Sequence, residues 1–507
     1  MASSLISGSP IKGLPVREDD GGKRALHTKV AKDRYRCISN FYFDLKAFVK
    51  FPADHNKYNG FIVVVHRIDG VSMECFLTID EMENVKKFKG AINRSFSSKG
   101  GIMAHGINDN QLSSYIMGKM QEFALRGGKE MDGSLVIGRQ PNFRSVNARG
   151  EFLDDDDPTG LAQKVDDPDT AVYILNDRLQ INKDGVVPES HWRYRYMVPF
   201  LRNMPSAIAD KKVKNFLQCH EVHVDLPLRF FDWELFISKA KTFFNVNFLP
   251  FAMFLSGGLA TFHYNKIISC IGACPVPTAI GHPSSGKSTA LKIICELAGM
   301  HMISQSSGEF VVSGLVNTTI PLCWDDPALP SMVSQPLVAV FNGLGSQTQQ
   351  RGCEKPLTSF LLTVNFKLDS DMRSFERTTP IFFQRLKTEE GEQVKDYLDR
   401  KAELFSLAST RSLPVIIALS ERLNKRILAQ HIQFFRDRLH GLPPCLGDIY
   451  SVYRLILFEI IELVDNPNVI DCQMVDEFLK ENFLPYVRSL YDVLTETELA
   501  DRFTASC

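Results

Sequence analysis

The 507-residue chain has an ordinary globular composition, with 44% hydrophobic residues and 58 basic against 59 acidic side chains. The apolar share excludes global disorder, and the composition is neither collagen-like nor that of a continuous coiled coil. The net charge of −1 excludes a protein that coats nucleic acid uniformly, so any contact with nucleic acid must use a local patch. At roughly 150 residues per domain, the length predicts about three domains.

The near-zero charge conceals an asymmetry along the chain. Residues 1–150 carry 23 basic and 15 acidic side chains, whereas residues 151–190 carry three basic and eleven acidic ones. The first stretch is therefore a candidate for nucleic-acid contact. The second stretch, with four aspartates in a row at 154–157, is typical of a solvated loop.

The N-terminal part predicts a tail followed by a mixed domain. Polar, charged and glycine-rich residues indicate a disordered tail over 1–35, and a mixed α+β domain follows over 36–205. The apolar runs at 61–67 and 72–79 predict two strands. The Asp-Gly turn signal at 69–70 joins them into a hairpin.

Three helices are predicted from apolar spacing and capping signals. The first covers 81–94, with Asp80 as its N-cap and Glu83 as the capping-box partner. The second covers 109–123, where apolar residues recur every three or four positions. The apolar stretch 248–262 predicts a buried core helix, because a membrane span needs about 20 such residues. No membrane is expected among the partners.

The remaining sequence divides into three regions. We predict a helical linker region over 206–270, an NTPase domain over 271–390 and a helical C-terminal domain over 391–507. The 11 cysteines are scattered and contain no Cys-x-x-Cys pair, which indicates a reducing, intracellular compartment. The sequence leaves open whether this is the nucleus or the cytoplasm.

Residues 281–288 match the pattern G-x-x-x-x-G-K-[ST] of a phosphate-binding loop. An apolar run at 276–280 precedes the loop and a helix-forming run at 290–298 follows it, which is the strand–loop–helix order that the motif requires. In such a loop backbone N–H groups surround phosphate oxygens, Lys287 reaches the β- and γ-phosphates of ATP, and Ser288 offers its hydroxyl to Mg²⁺. The predicted nucleotide-binding residues are Gly281, Ser284, Ser285, Gly286, Lys287, Ser288 and Thr289. A glycine- and serine-rich turn with a surface lysine is the alternative interpretation.

Two further strand-like runs end in polar residues. The run 319–326 ends in Asp325 and Asp326, of which the first is the candidate Mg²⁺ ligand and the second the candidate that polarises the attacking water. The run 358–365 ends in Asn365, a candidate for contact with the γ-phosphate or that water. Either strand end also fits an ordinary turn.

An arginine precedes the last strand-like run of this region. Arg377 stands before the run 379–385, and Arg373 is the second candidate for the same role. A ring-forming ATPase needs an arginine across the subunit interface to stabilise the transition-state charge. The alternative is a surface arginine. The predicted catalytic residues are Lys287, Asp325, Asp326, Asn365 and Arg377.

The order of loop, acidic strand end, Asn-tipped strand and arginine resembles the superfamily 3 helicases, over about residues 275–387. The resemblance implies an α/β, AAA+-like P-loop sheet and a hexameric ring that pulls single-stranded DNA or RNA through its pore. The segment 341–356 corresponds to a hairpin of that family that carries a basic pore residue, which Lys355, or else Arg351, matches. The chain departs from the family at 363–365, which read Thr-Val-Asn where Thr-Thr-Asn or Thr-Ser-Asn is usual.

The amino-acid sequence of the loop, together with the mixed domain that precedes it, also resembles the primase–helicase-associated ATPase domain of phages and mobile elements. Both resemblances imply a Mg²⁺-dependent ATPase motor of replication or of a mobile element. A non-motor P-loop ATPase that regulates or binds partners is the second hypothesis. A small-molecule kinase of P-loop type is the third, and the acidic strand end disfavours it.

Overall fold

In the computed structural model, the described residues are 17–18, 26–31, 34–96, 101–103, 107–141, 143–146, 163–167, 171–214, 216–218, 221–226, 230–348, 352–366, 372–385 and 392–505. Most of the predicted tail 1–35, the four aspartates at 154–157 and Arg351 lie outside them.

The strands are β1 (Arg17–Glu18), β2 (Leu26–Ala31), β3 (Arg34–Cys37), β4 (Phe41–Lys50), β5 (Gly60–Arg67), β6 (Ser72–Thr78), β7 (Glu130–Ser134), β8 (Gly138–Gln140), β9 (Phe143–Val146), β10 (Gln163–Asp166), β11 (Val172–Asn176), β12 (Leu179–Asn182), β13 (Gly185–Val186), β14 (Tyr194–Tyr196), β15 (Val276–Ile280), β16 (His301–Ile303), β17 (Leu322–Asp325), β18 (Ser346–Thr348), β19 (Gly352–Glu354), β20 (Phe360–Val364) and β21 (Thr378–Phe382).

The α-helices are α1 (Ile79–Glu83), α2 (Val85–Ser95), α3 (Asp109–Leu125), α4 (Val198–Leu201), α5 (Pro205–Ala209), α6 (Lys211–Lys214), α7 (Trp233–Phe244), α8 (Phe248–Thr261), α9 (Tyr264–Ile271), α10 (Lys287–Ala298), α11 (Gly308–Gly314), α12 (Pro330–Phe341), α13 (Met372–Glu376), α14 (Glu392–Leu407), α15 (Leu413–Ala418), α16 (Lys425–Arg436), α17 (Pro444–Ile461), α18 (Cys472–Phe478) and α19 (Leu484–Ala505).

The chain divides into two units. The first unit comprises residues 1–135 and 189–217, and the second comprises 136–188 and 218–507. This division differs from the predicted domain 36–205, because residues 136–188 group with the second unit. Their strands β8, β11, β12 and β13 form a sheet of their own. A parallel bridge joins Ile137 to Thr318, and the Thr319 N–H donates to the Ile137 carbonyl at 2.9 Å.

The first unit has a five-stranded sheet in the order β14-β7-β4-β5-β6. The predicted hairpin is confirmed, since β5 and β6 pair antiparallel over their lengths. The helix over 109–123 is confirmed as α3, which begins after the N-cap Asn108. Helices α1, α2 and α3 contribute buried residues, among them Phe88, Ile92, Leu112 and Ile116, to the core cluster that also contains Phe43 and Val63 of the sheet.

The predicted helix over 81–94 is corrected at both its start and its middle. Thr78, rather than Asp80, is the N-cap of α1, and its capping-box partner is Glu81, rather than Glu83. The helix also stops at Asn84, whose side chain accepts the N–H groups that begin α2. Asparagine competes with helical hydrogen bonds in this way, so the segment forms two helices.

The main sheet of the second unit is parallel, in the order β16-β17-β20-β15-β21. Helix α8 packs on it with small residues, because a Cβ at Gly258 would lie 2.7 Å from Ile294 and 2.8 Å from Leu361. The prediction of a buried core helix over 248–262 is confirmed, since every residue of α8 except Leu249 is buried. By length and composition the stretch Trp233–Thr261 could cross a membrane, but 83% of its most apolar window is buried in the protein.

A partly buried ion pair links two of the C-terminal helices. Arg454 of α17 donates to both carboxylate oxygens of Asp476, at 2.8 and 2.9 Å, and its guanidinium lies about 4 Å from the rings of Phe434 and Phe458. A further guanidinium nitrogen lies 2.8 Å from Nδ1 of His431. Burial and the neighbouring guanidinium lower the pKa of His431 from 6.5 to about 4, so the ring is neutral in the folded protein.

We expect acid to destabilise the fold through His431. Between pH 6.5 and about 4 the histidine is protonated in the unfolded chain and neutral in the folded protein, so the free energy of unfolding falls as the pH drops through this window. His431→Gln removes this titration, and denaturant unfolding of the variant should depend less on pH. His440→Gln, at an exposed position, is the control and should behave like the unchanged protein. An unchanged pH dependence in His431→Gln would contradict this role of the histidine.

Candidate nucleotide-binding site

The predicted phosphate-binding loop lies between β15 and α10, after a strand that is flanked by β20 and β21 in the parallel sheet. Gly281 follows the strand, and a Cβ there would lie 2.3 Å from the carbonyl oxygen of Phe383. Gly286 is the N-cap of α10 with φ 91°, and Ser284 has φ 64°, both in the left-handed region. Glycine is therefore required at the first position by a close backbone approach, and at Gly286 by the turn into the helix.

Lys287 is folded back over the loop that precedes it. Its Nζ donates to the carbonyl oxygens of Gly281 and His282, at 2.8 and 2.9 Å, and lies 3.3 Å from Oγ of Ser285. The side chain is only 5% exposed. Burial lowers the pKa of the ammonium group, whereas the carboxylates of Asp326 and Asp325 raise it. The loop thus holds a buried cation whose oxygen partners are two carbonyl groups and one hydroxyl, which phosphate oxygens can replace.

Asp325 connects the loop helix to the acidic strand end. Its Oδ1 accepts one hydrogen bond from Oγ of Ser288 at 2.8 Å and another from Oγ1 of Thr363 at 2.6 Å. These residues belong to α10, β17 and β20, which meet because the carboxyl ends of parallel strands lie at the same edge of a sheet.

Asp326 lies next to this carboxylate and has its own partners. Its N–H donates to the carbonyl oxygen and to Oγ1 of Thr363, both at 3.1 Å. Its carboxylate accepts a hydrogen bond from Nδ2 of Asn365 at 2.7 Å. Asp326 has φ 49°, a left-handed conformation that costs about 1 kcal/mol or more and is concentrated at functional sites. The structure therefore brings together five of the predicted residues, namely Lys287, Ser288, Asp325, Asp326 and Asn365.

The donor set at this edge fits a small hard cation together with a nucleotide. The Ser288 hydroxyl and the Asp325 carboxylate are oxygen donors 2.8 Å apart. Mg²⁺ is commonly held by one or two such protein oxygens, with waters and phosphate oxygens completing its shell. Among the described residues there is no cluster of three or more His, Cys, Asp and Glu side chains that could hold a different metal ion.

Arg377 lies at the opposite side of the sheet, where the parallel strands begin. It directly precedes β21, whose first residue Thr378 pairs with Val276, whereas the loop follows Ile280 at the far end of β15. Its Nη1 donates to the carbonyl of Arg373 at 2.6 Å. Both arginines line a cavity of about 510 Å³. The structure thus places Arg377 away from the loop of its own chain, by roughly 16 Å for a strand of five residues.

The segment with the candidate nucleic-acid residues contains a hairpin. Strands β18 and β19 pair antiparallel, with Ser346 opposite Glu354 at one end and Thr348 opposite Gly352 at the other. Lys355 is exposed and follows Glu354, so it lies at the end opposite the Thr348–Gly352 pair. Arg351 is outside the described residues.

Two residues of the site are not predicted by the sequence. In the sequence, Thr363 is noticed only because 363–365 read Thr-Val-Asn, which departs from the usual motif. A threonine two positions before Asn365 lies on the same face of the strand, and this spacing could have indicated its role. Asn247 is fully buried and bonds to the backbone of the loop and of the segment after β21. It stands between two helices in an aromatic-rich stretch, and nothing in the local pattern indicates its contacts.

Comparison with solved structures identifies the fold. The active helicase Cch of SCCmec type IV is similar at a TM-score of 0.56 and 12% sequence identity, over 96% of this chain and 82% of that chain. The chain has a helicase-like fold. The resemblance predicted from the motifs is confirmed at this level, and the predicted α/β class is confirmed as a mixed α/β chain with several sheets.

Two other solved structures match less closely. The A form apo structure of the NrS-1 C-terminal region has 12% identity and a TM-score of 0.26, over 71% of this chain and 83% of that chain. JCV helicase with a bound inhibitor has 11% identity and a TM-score of 0.20, over 47% of this chain and 75% of that chain. No family model and no curated protein match the sequence. The assignment of the fold therefore rests on the Cch structure.

If the site hydrolyses ATP, as the sequence predicts, we expect Thr363→Val to lower the rate by about tenfold or more. The change removes the hydrogen bond that Thr363 donates to the Asp325 carboxylate, and a hydrogen bond to a charged group contributes about 1.5–3 kcal/mol. It also removes one acceptor of the Asp326 N–H, which keeps its bond to the Thr363 carbonyl. Thr363→Ser keeps the hydroxyl and should retain most of the rate. The measurement is steady-state phosphate release.

Thr358→Val is the matched control for this substitution. Thr358 is buried just before β20, and its hydroxyl has no hydrogen-bond partner in the described part of the chain. The control should therefore hydrolyse ATP at the rate of the unchanged protein. Equal rates for Thr363→Val and Thr358→Val would show that the hydroxyl does not support the acidic edge.

Proposed function

We propose that the chain is a Mg²⁺-dependent ATPase of the superfamily 3, AAA+-like type that moves along single-stranded DNA or RNA as an oligomer. The observation that carries the proposal is the contact of Ser288 and Thr363 with the Asp325 carboxylate. It joins the phosphate-binding loop to an acidic strand end through an intervening strand. Motors of this kind need the loop beside the acidic strand end for hydrolysis. A glycine- and serine-rich surface turn would have no reason to contact such a strand end.

The geometry of the loop supports the proposed nucleotide binding. The left-handed residues Ser284 and Gly286 turn the backbone so that N–H groups at the start of α10 face the phosphates. Lys287 exchanges its carbonyl partners for phosphate oxygens, and the low exposure of its ammonium strengthens that attraction. Gly281, Ser285 and Thr289 complete the set of loop residues proposed to bind ATP.

Hydrolysis uses the two carboxylates in different roles. Ser288 and Asp325 would hold Mg²⁺, which when bound neutralises charge on the β- and γ-phosphates. Asp326 orients and polarises the attacking water, since its carboxylate is exposed at the site and is fixed by Asn365. Asn365 in turn directs its remaining polar atoms towards that water or the γ-phosphate. Thr363 holds the Asp325 carboxylate and the backbone N–H of Asp326 in place.

The position of Arg377 supports an oligomer. At the amino edge of the sheet, the side chain cannot act on the nucleotide of its own chain, but it can act on the nucleotide of an adjacent copy. The exposed surface beside it, with Arg373 in a cavity of about 510 Å³, is accessible for that contact. A hexameric ring, as the resemblance implies, would supply one such arginine to each interface and would direct Lys355 or Arg351 towards nucleic acid.

The balanced charge of residues 276–390, with nine basic and ten acidic side chains, favours a second function. Binding to nucleic acid depends on neutralising phosphates, and this region offers no excess of positive charge. A non-motor ATPase that regulates or binds a protein partner would fit the same nucleotide site. The two functions differ in their response to single-stranded nucleic acid.

The experiment is ATP turnover with and without single-stranded DNA and RNA, alongside the oligomeric mass with a non-hydrolysable ATP analogue. We expect turnover to rise with nucleic acid, and the mass to correspond to a ring. Lys287→Ala should abolish turnover, because the loop loses its buried cation. Lys292→Ala, an exposed lysine on the same helix, is the control and should leave turnover unchanged.

Unchanged turnover in Lys287→Ala would contradict ATP hydrolysis at this site. A different result would favour the regulatory ATPase. In that case Lys287→Ala abolishes turnover, the unchanged protein is monomeric, and its turnover does not respond to DNA or RNA.

A further inference from the structure

A cavity of about 200 Å³ lies on the side of the main sheet where the parallel strands begin. Thr319 and Leu357 line it, and they stand three residues before β17 and β20 respectively. The phosphate-binding loop follows β15 at the other ends of these strands, so the cavity is separate from the nucleotide site. Pockets for drug-sized ligands measure roughly 300–1,000 Å³, and this smaller cavity therefore suits a small ion rather than a second nucleotide.

The walls of the cavity come from two parts of the second unit. Arg139 of β8 and Tyr173 of β11 form one wall, and they lie on the same face of the small sheet because they are partners across the two strands. The segment 262–266, which includes the start of α9, provides much of the other wall. A ligand in the cavity would therefore contact both the small sheet and the helix that leads to β15.

The lining of the cavity is positively charged. Arg139 and Lys266 are its basic residues, and none of the described residues that line it is acidic. Nζ of Lys266 donates to the carbonyl oxygen of Ser420, which also lines the cavity. This oxygen is neutral, like the partners of Lys287 in the loop, and an anion can replace it at the ammonium group.

The backbone of Arg139 is fixed to the main sheet. Its N–H donates to Oγ1 of Thr319, and the Thr319 side chain is buried. Gly138 makes this close approach possible, since a Cβ there would lie 2.2 Å from the same hydroxyl oxygen. The guanidinium group thus extends from a backbone position that the start of the β17 segment defines.

Neutral polar groups complete the lining. His263 is 4% exposed, and its Nε2 lies 2.8 Å from the carbonyl oxygen of Ile416. A carbonyl oxygen only accepts, so Nε2 carries a hydrogen and this bond fixes the ring. Asn265 is exposed at the edge of the cavity and adds amide N–H donors. Hydrogen-bond donors therefore come from more than one wall, as a tetrahedral oxyanion requires.

We propose that this cavity binds a phosphate group through the guanidinium of Arg139 and the ammonium of Lys266. A guanidinium binds two phosphate oxygens through parallel N–H···O bonds, and an ammonium group supplies a compact charge. Free inorganic phosphate and the backbone of a nucleic acid strand both offer this chemistry. The inference goes beyond the proposed function, because the cavity is separate from the nucleotide site and needs no bound nucleotide.

Equilibrium dialysis of radiolabelled inorganic phosphate against the full chain tests the proposal. The chain carries Lys287→Ala throughout, so that the phosphate-binding loop lacks its cation. We expect one phosphate per chain to bind. Arg139→Gln and Lys266→Gln should each lower the affinity by about tenfold or more, because each removes one charged contact with the anion.

Arg178→Gln is the matched control. Arg178 is an exposed arginine in the turn between β11 and β12 of the same small sheet, and it does not line the cavity. Its loss changes the net charge by the same amount as Arg139→Gln, and the affinity for phosphate should stay unchanged.

The melting temperature provides a second readout. A ligand that binds only the folded state stabilises it, so phosphate should raise the melting temperature above its value in chloride at equal ionic strength. A general salt effect would act equally on all variants, whereas the rise due to the cavity should be smaller in Arg139→Gln and Lys266→Gln than in Arg178→Gln. If one of the two cavity variants does not fold, the other decides the proposal.

A competition experiment distinguishes the two sources of the phosphate group. Single-stranded DNA without terminal phosphates is added to the dialysis. Displacement of the labelled phosphate would identify a nucleic acid strand as the ligand, and binding of phosphate that DNA leaves unchanged would identify the free ion.

Two results would overturn the proposal. One is the absence of saturable phosphate binding in the Lys287→Ala chain. The other is an affinity in Arg139→Gln and Lys266→Gln that equals the affinity in Arg178→Gln. Neither result bears on ATP hydrolysis, which turnover of the unchanged protein measures separately.

Discussion

The structure of the site depends on one carboxylate. Asp325 accepts hydrogen bonds from Ser288, at the start of the helix after the loop, and from Thr363, at the end of the neighbouring strand. Three segments that are far apart in sequence are held in one place by this group. A carboxylate with two hydroxyl donors is well oriented, and it keeps oxygen atoms for a cation.

The parallel sheet places nucleotide binding at the carboxyl ends of its strands, and the arginine proposed to act on a neighbouring copy at their amino ends. Its carboxyl edge holds the loop, the acidic pair and Asn365, and there Asn247 also ties the loop to the segment after β21. The amino edge holds Arg377. In the proposed motor, the first edge binds the nucleotide within one chain, and the second acts on the nucleotide of the next. The sheet order and the polarity of its strands are sufficient to produce this arrangement.

The sequence predicted those parts of the site that depend on local signals. The loop lies between a strand and a helix as expected, and both polar strand ends lie beside it. These features are predictable because the residues that begin and end a strand, a loop or a helix are adjacent in sequence. The contacts of Asn247 with Ser285 and Gln384 cross 38 and 137 positions, and no local pattern encodes them. Local competition between caps also misled the prediction, since Asn84 divides a helix that apolar spacing alone makes continuous.

We propose that the loop and Asp325 together form one Mg²⁺–nucleotide site, and electron paramagnetic resonance of Mn²⁺ tests this most directly. With Mn²⁺ in place of Mg²⁺, we expect one ion to bind per chain in the presence of AMP-PNP and little without it. Asp325→Asn should abolish this nucleotide-dependent ion. Binding of Mn²⁺ that is independent of AMP-PNP, or that persists in Asp325→Asn, would contradict a shared Mg²⁺–nucleotide site.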